Sequence, residues 1–268
     1  MSKPIFILDV DNTIIGDIKP QVNELNLIEN LKLSQKKLYR QNLISDLKNG
    51  IIRPFFIDFI NFCKENKIPI FIFTASTKEW INYLLPIIEK IINYKFERPI
   101  FTRQHMIKKP LEMICNDLII KSINHIKPSI YKTLKKKYSY DKSNTIIYMI
   151  DNRIDNILEK KYVLHCKSYN FLLPTNLIRS LTEEQKYIYK NRISKYLYNK
   201  EFDYTHLMIK IYSEYLNDLK LSIINNRIKN DNYWKLLTIM IKQKNIILNR
   251  KKFYRLYKKI FNNKKNLN

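Results

Sequence analysis

Two carboxylates stand two residues apart at the end of an apolar run: Ile5 to Leu8 is followed by Asp9, Val10, Asp11, Asn12 and Thr13. The run has no polar alternation, which suits a strand covered on both faces. Burying paired carboxylates beside it is costly unless something compensates. A divalent cation is the least costly compensation, and a metal with a carboxylate nucleophile is one arrangement for phosphoryl transfer. Two further apolar runs end in residues of use to that chemistry. Ile68 to Phe73 stops at Thr74, Ala75 and Ser76, and Thr145 to Ile150 stops at Asp151, Asn152, Arg153, Ile154 and Asp155. Lys127 lies 24 residues before Asp151, about one helix and one turn.

These residues meet only if the three runs are neighbouring strands. The elements between them favour that. Arg53 and Pro54 open a helix with Pro54 near its first position and Phe55, Phe56, Phe59, Ile60 and Cys63 on one face. Ser76 with Glu79 forms a capping box for a helix to about Asn93, with Pro86 as a kink site. Pro99 to Arg103 reads as a short strand and Leu111 to Ile123 as a helical insert. Lys127 and Pro128 begin a helix through Tyr138, and Tyr162 to His165 adds a last short strand. Alternation of strand and helix predicts an α/β fold, a parallel sheet with helices on both faces. In such sheets ligands bind at the carboxyl ends of the strands. Residues 14–50, with helix around Leu25 to Lys48, form a small cap or insertion. The expected organisation is therefore a domain over 1–173 and a basic, all-α region over 174–268, with Thr182 and Gln185 as its first cap.

Composition bounds the alternatives. At 268 residues and 45% hydrophobic content the chain can bury a core. Gly is scarce (2 residues) while Ile, Asn, Lys and Tyr abound, a bias that suits the AT-rich genome of a large DNA virus or a protist. Net charge is +25, from 49 basic and 24 acidic residues, which favours polyanionic partners, although AT-rich codons also fill solvated faces with Lys. Cys63, Cys115 and Cys166 are odd in number and lack zinc spacing, so a reducing compartment is expected. The first apolar run breaks at Asp9, unlike a signal peptide, and no run approaches the roughly 20 residues that span a bilayer. The expectation is a soluble intracellular protein, cytoplasmic or nuclear.

Asp9-Val10-Asp11-Asn12-Thr13 resembles the DxDxT motif of the haloacid dehalogenase superfamily, whose core is Rossmann-like. Thr74, Lys127-Pro128 and Asp151 with Asp155 fall where that superfamily places its second, third and fourth motifs. Within it, Arg53-Pro54, Phe73 to Ser76, Phe101-Thr102-Arg103 and Asp151-Asn152 resemble the NLI-interacting-factor-like phosphatases of the RNA polymerase II carboxy-terminal domain. The chain differs from that group in Val10, Asn12 and Arg153-Ile154. The resemblance implies a Mg²⁺-dependent phosphatase with Asp9 as nucleophile, forming an aspartyl-phosphate. It implies Asp11 as acid and base, with its carbonyl also on the metal. Thr74, Ala75 and Lys127 would bind the phosphoryl group, and Asp9, Asp11, Asp151, Asn152 and Asp155 would surround the metal. Lys132 and Lys109 are the alternative lysines.

Each feature also has a plain structural explanation. A lone DxD is usually a solvated turn, Thr74 a strand-end cap, Lys127 a surface lysine, and Asp151 and Asp155 helix N-terminal charges. His105, His125, His165 and His206 form no constellation. Beyond Asn170 the chain carries 21 basic against 7 acidic residues. Lys251 to Lys259 interleave with Phe253, Tyr254 and Tyr257, a pattern suited to phosphates and stacked bases. The same spacing makes an amphipathic helix with Phe253, Leu256, Tyr257 and Ile260 buried, and Trp234, Leu237, Met240 and Ile241 repeat it. Phosphorylated protein, nucleic acid or nucleotide are the substrates this allows. The competing reading is a basic nucleic-acid-binding or structural protein on a retained hydrolase fold.

Overall fold

The computed structural model describes residues 3–16, 18, 33–109, 118–138, 140, 142–171 and 231–242. In chain order these form β1 (Lys3–Leu8), α1 (Leu33–Asp46), α2 (Phe56–Glu65), β2 (Ile70–Ile72), α3 (Lys78–Ile92), β3 (Ile107–Lys109) and β4 (Leu118–Ile120). They continue with α4 (Ile123–Tyr138), β5 (Thr145–Asp151), β6 (Val163–His165) and α5 (Tyr233–Lys242). The described residues fall into two compact units. One holds 3–14, 53–168 and 231–242, and the other 15–52 and 169–171.

The first unit is built on a four-stranded parallel sheet in the order β2-β1-β5-β6. Its central strand β1 pairs Phe6, Ile7 and Leu8 with Ile70, Phe71 and Ile72 on one side and with Tyr148, Met149 and Ile150 on the other. Ile5 to Leu8 are wholly buried, as an apolar run without alternation requires. Side chains still alternate between faces. Ile5 and Ile7 join Ile123, Ile126, Ile130 and Leu134 of α4 in one core cluster. On the opposite face the ring of Phe6 meets Phe59 of α2, centroids 5.3 Å apart and edge to face. Trp234 of α5 then packs on Phe56 at 4.9 Å and Phe59 at 4.7 Å. The sheet is covered on both sides, and residues 231–242 belong to the same unit.

Several local expectations are revised. α3 is capped by Thr77, whose hydroxyl accepts from the Trp80 amide at 3.4 Å, so Ser76 is released from a capping role. α2 starts at Phe56, and Phe55 sits before it with φ of 61° and exposed instead of on the apolar face. Pro128 lies inside α4, which begins five residues earlier at Ile123. Leu118–Ile120, within the expected helical insert Leu111 to Ile123, is instead a strand that pairs antiparallel with Ile107–Lys109. Phe101 contributes a single parallel bridge to Phe73. The short strand near His165 is β6.

In the second unit α1 runs into a wide turn, Leu47–Ile51, in which Gly50 takes φ of 122°. The aromatic ring of Phe171 lies where a Gly50 side chain would project, and Tyr169 donates to the Gly50 carbonyl. Residues 19–32 and 111–117, the Thr182–Gln185 cap and the Lys251–Lys259 stretch lie outside the described residues. Among the described residues no helix is long and apolar enough to cross a membrane. In α5, Trp234, Leu237 and Met240 are buried, which makes this stretch a core helix.

Candidate active site

The site forms where β1, β2 and β5 end side by side. The Asp9 amide donates to the Ile150 carbonyl at 3.0 Å, which carries the β1–β5 ladder one residue past the strand. The chain then turns: the Thr13 and Ile14 amides both return to the Val10 carbonyl, at 3.3 and 2.9 Å, and Asn12 takes φ of 56°. That turn places Asp9, Asp11 and Thr13 at the sheet's carboxyl edge. Thr74 enters the same edge after β2, its amide bonded to the Phe101 carbonyl at 3.0 Å. Asp151 closes β5 from the other flank. Asp9, Thr13, Thr74 and Asp151 are all buried.

A lysine that the sequence reading passed over occupies the centre. Lys121 Nζ lies 2.7 Å from Asp9 Oδ1 and 2.7 Å from Asp151 Oδ2, and the side chain is buried. Its backbone is fixed between neighbours: the Lys121 amide donates to the Asn156 carbonyl, and the Leu158 amide donates to the Lys121 carbonyl, each at 2.9 Å. Glu159 then caps the start of α4, accepting from Ser122 Oγ and the Ile123 amide at 2.8 Å. Lys127 is a correction. It sits on α4, its Nζ 2.6 Å from the Tyr162 hydroxyl and above that ring, with no place at the site. Lys132 is exposed on α4, and Lys109 lies on β3. The usable signal was the one that marks Asp9, Thr74 and Asp151: Lys121 also ends an apolar run, Leu118-Ile119-Ile120.

Asp11 faces the β2 side. Ser76 Oγ donates to Asp11 Oδ2 at 2.5 Å, and Thr74 Oγ1 lies 3.5 Å from the same oxygen. Thr74 Oγ1 in turn accepts from the Ser76 amide at 3.1 Å. Ser76 is therefore a site residue that its apparent capping motif concealed. Thr13 Oγ1 is shared between Asp9 Oδ2 at 3.4 Å and Asn152 Oδ1 at 3.3 Å. Asp151 Oδ1 accepts from the Arg153 amide at 2.7 Å. Ala75 borders the site, its carbonyl accepting from Arg103 Nε at 2.9 Å. Asp155 is a second correction: it is exposed and paired with Arg153 at 3.0 Å, away from the other carboxylates. His165 meets the site from behind, its Nε2 3.1 Å from the Asn152 carbonyl.

The electrostatics follow from one ammonium among three carboxylates. Burial pushes Asp9 up to about 7; Lys121 pulls the other way, and Asp151 and Asp11 add to the rise. Burial alone would lower Lys121, but Asp151 and Asp9 outweigh it and hold it at about 12. The pocket thus keeps an excess of negative charge. Among the described residues no cage of three or more His, Cys, Asp or Glu side chains is formed. Mg²⁺ needs no such cage, since it usually takes one or two carboxylates and fills its shell with water and substrate. Asp9 and Asp151 on adjacent strands, with hard oxygens and unbalanced charge, fit that ion.

The parallel α/β sheet is of the haloacid dehalogenase type, and its carboxyl edge gathers Asp9, Asp11, Thr74, Lys121 and Asp151. The family model for NLI interacting factor-like phosphatases matches residues 4–191, and the chain belongs to that family. No curated protein matches the sequence. Among solved structures it is similar to fission yeast RNA polymerase II CTD phosphatase Fcp1 bound to beryllium fluoride, with 15% identity and a TM-score of 0.41 over 90% of this chain and 62% of that one. A second Fcp1 structure, described as an essential RNA polymerase II CTD phosphatase, gives 18% identity and a TM-score of 0.30 over 75% of this chain and 55% of that one. The chain therefore spans about three-fifths or less of those proteins.

Proposed function

We propose that the chain hydrolyses a phosphomonoester through an aspartyl-phosphate on Asp9, with Mg²⁺ as cofactor. The observation that carries this reading is Lys121 bridging Asp9 and Asp151 while Asp11 is turned aside onto Ser76 and Thr74. The two carboxylates of the motif are held apart in different surroundings, as a nucleophile and an acid–base group must be.

An Asp9 oxygen attacks phosphorus, the bond from phosphorus to the ester oxygen breaks, and Asp11 gives its proton to the leaving oxygen. Asp11 then takes a proton from a water molecule, which attacks the phosphorus and frees phosphate and Asp9. The Ser76 hydroxyl can donate or accept, so its contact holds Asp11 in either protonation state. Lys121 neutralises charge on the transferring group, and Thr74 with the Ala75 backbone borders it. Asp9, the Asp11 carbonyl, Asp151 and Asn152 would hold Mg²⁺, whose charge would offset the burial, and the lesser repulsion from Asp151 and Asp11, that keep Asp9 high, and would favour the ionised nucleophile.

The net charge of +25 favours a phosphate carried on a polyanionic partner, a phosphorylated protein or a nucleic-acid end. Hydrolysis of para-nitrophenyl phosphate with Mg²⁺ and with EDTA tests the activity. Phosphopeptides and end-phosphorylated oligonucleotides then sort the substrate. Turnover that survives EDTA would refute the metal requirement; none with any phosphomonoester would refute the reading.

A further inference from the structure

Arg53 is wholly buried, yet its partner comes from far along the chain. Its Nε and Nη2 form a two-pronged pair with Asp231 Oδ1 and Oδ2 at 3.1 and 2.8 Å. Its Nη1 lies 3.4 Å from the Thr13 carbonyl, and the Arg53 amide donates to the Ile14 carbonyl at 2.9 Å. Thr13 is the residue whose hydroxyl is shared between Asp9 and Asn152. A continuous run of polar contacts therefore leads from Asp231 through Arg53 and Thr13 to Asp9.

Asp231 is itself fixed. The Tyr233 amide donates to its Oδ1 at 3.1 Å, the Tyr233 ring lies against the Arg53 guanidinium at 5.1 Å, and Trp234 is seated on Phe56 and Phe59. All of 231–242 lies beyond residues 4–191, the stretch matched by the family model.

We propose that Asp231 is a positioning residue for the Asp9–Thr13 turn, supplied by a segment outside the matched family domain. Arg53 in a dry pocket needs a carboxylate. Asp231 supplies it and at the same time sets the plane of the guanidinium, so Nη1 is aimed at the Thr13 carbonyl. Apolar packing of α5 brings Asp231 to Arg53, and the ion pair carries the placement into the nucleophile's turn. The catalytic part of the inference rests on Asp9 being the nucleophile.

The test uses the full-length chain with Asp231→Asn, and Met240→Ala as a control that loosens the buried far end of α5, away from the pair. Amide exchange over residues 9–14 should quicken at least about tenfold in Asp231→Asn, with β2 and β5 peptides unchanged. At a temperature well below melting, kcat on para-nitrophenyl phosphate should fall about ten- to a hundredfold with KM nearly constant. Met240→Ala should lower the melting temperature without either effect. Unchanged exchange over 9–14 in Asp231→Asn overturns the proposal, as does an equal local effect in both variants. If Asp231→Asn does not fold, Asp231→Glu carries the same two readouts. An inactive wild-type chain would count against the phosphatase reading, and the exchange data would still decide this one.

Discussion

Lys121 Nζ stands 2.7 Å from Asp9 Oδ1 although 112 residues separate them, and both side chains are nearly sealed from water. Removing Lys121 would strand the buried carboxylates of Asp9 and Asp151 at a cost of roughly 3–5 kcal/mol, whereas removing the Asp9 charge leaves Lys121 its pair with Asp151. On the proposed mechanism the same ammonium would lie beside a phosphoryl group carried on Asp9.

Replacing Lys121 should therefore cost catalysis heavily. Lys121→Met is expected to lower kcat by about a thousandfold, the scale seen when a preorganised charge at the transferring group is lost. Lys127→Met, which removes only the contact with Tyr162, should leave kcat within about twofold. Steady-state rates of the two variants make the comparison, and the reverse order would restore Lys127 to the site.

Ser76 is predicted to act through Asp11. Ser76→Ala deletes the 2.5 Å contact to Asp11, the shorter of its contacts with Ser76 and Thr74. A fall in kcat of about tenfold is expected, with melting temperature little changed because Thr77 caps α3. Thr77→Ala should do the opposite, costing about 1 kcal/mol of stability and little rate.

Asp9 has a pH signature in metal-free protein. Its folded value of about 7 lies above the ordinary 3.8, so the folded state holds a proton that the unfolded chain has released. The contribution to stability is complete below about 3.8 and is lost as pH rises through 7. In EDTA, Asp9→Asn should melt above the wild type near about pH 8, with the gain shrinking towards about pH 4. Melting curves that differ by the same amount at every pH would contradict the burial of an uncompensated carboxylate.

The parts of this molecule that could be read from sequence are those where pattern and position coincide. Ile5–Leu8, Ile70–Ile72 and Thr145–Ile150 are buried strands with unbroken apolar runs, and the sheet order brings their ends together. That placed Asp9, Asp11, Thr74 and Asp151 on one edge. Lys121 was missed because Leu118–Ile120 is too short to separate strand from helix by periodicity, and Pro128 made Lys127 look like a helix start. Ser76 was hidden because Ser76 and Thr77 can both cap a helix, and only the backbone decides between them. Asp155 followed its motif in spacing but points to solvent with Arg153, since the turn after β5 has already bent away. Asp231 had no local signal at all; only the return of α5 onto α2 reveals it.

The most direct test of the central claim is the covalent state of Asp9. The protein would be mixed with a fast phosphomonoester substrate and Mg²⁺, quenched in acid within a turnover and digested for mass spectrometry. The account predicts one phosphoryl group on the peptide carrying Asp9, absent from Asp9→Asn, which should also be inactive. A phosphoryl group on another residue, or an Asp9→Asn enzyme that keeps its turnover, would contradict it.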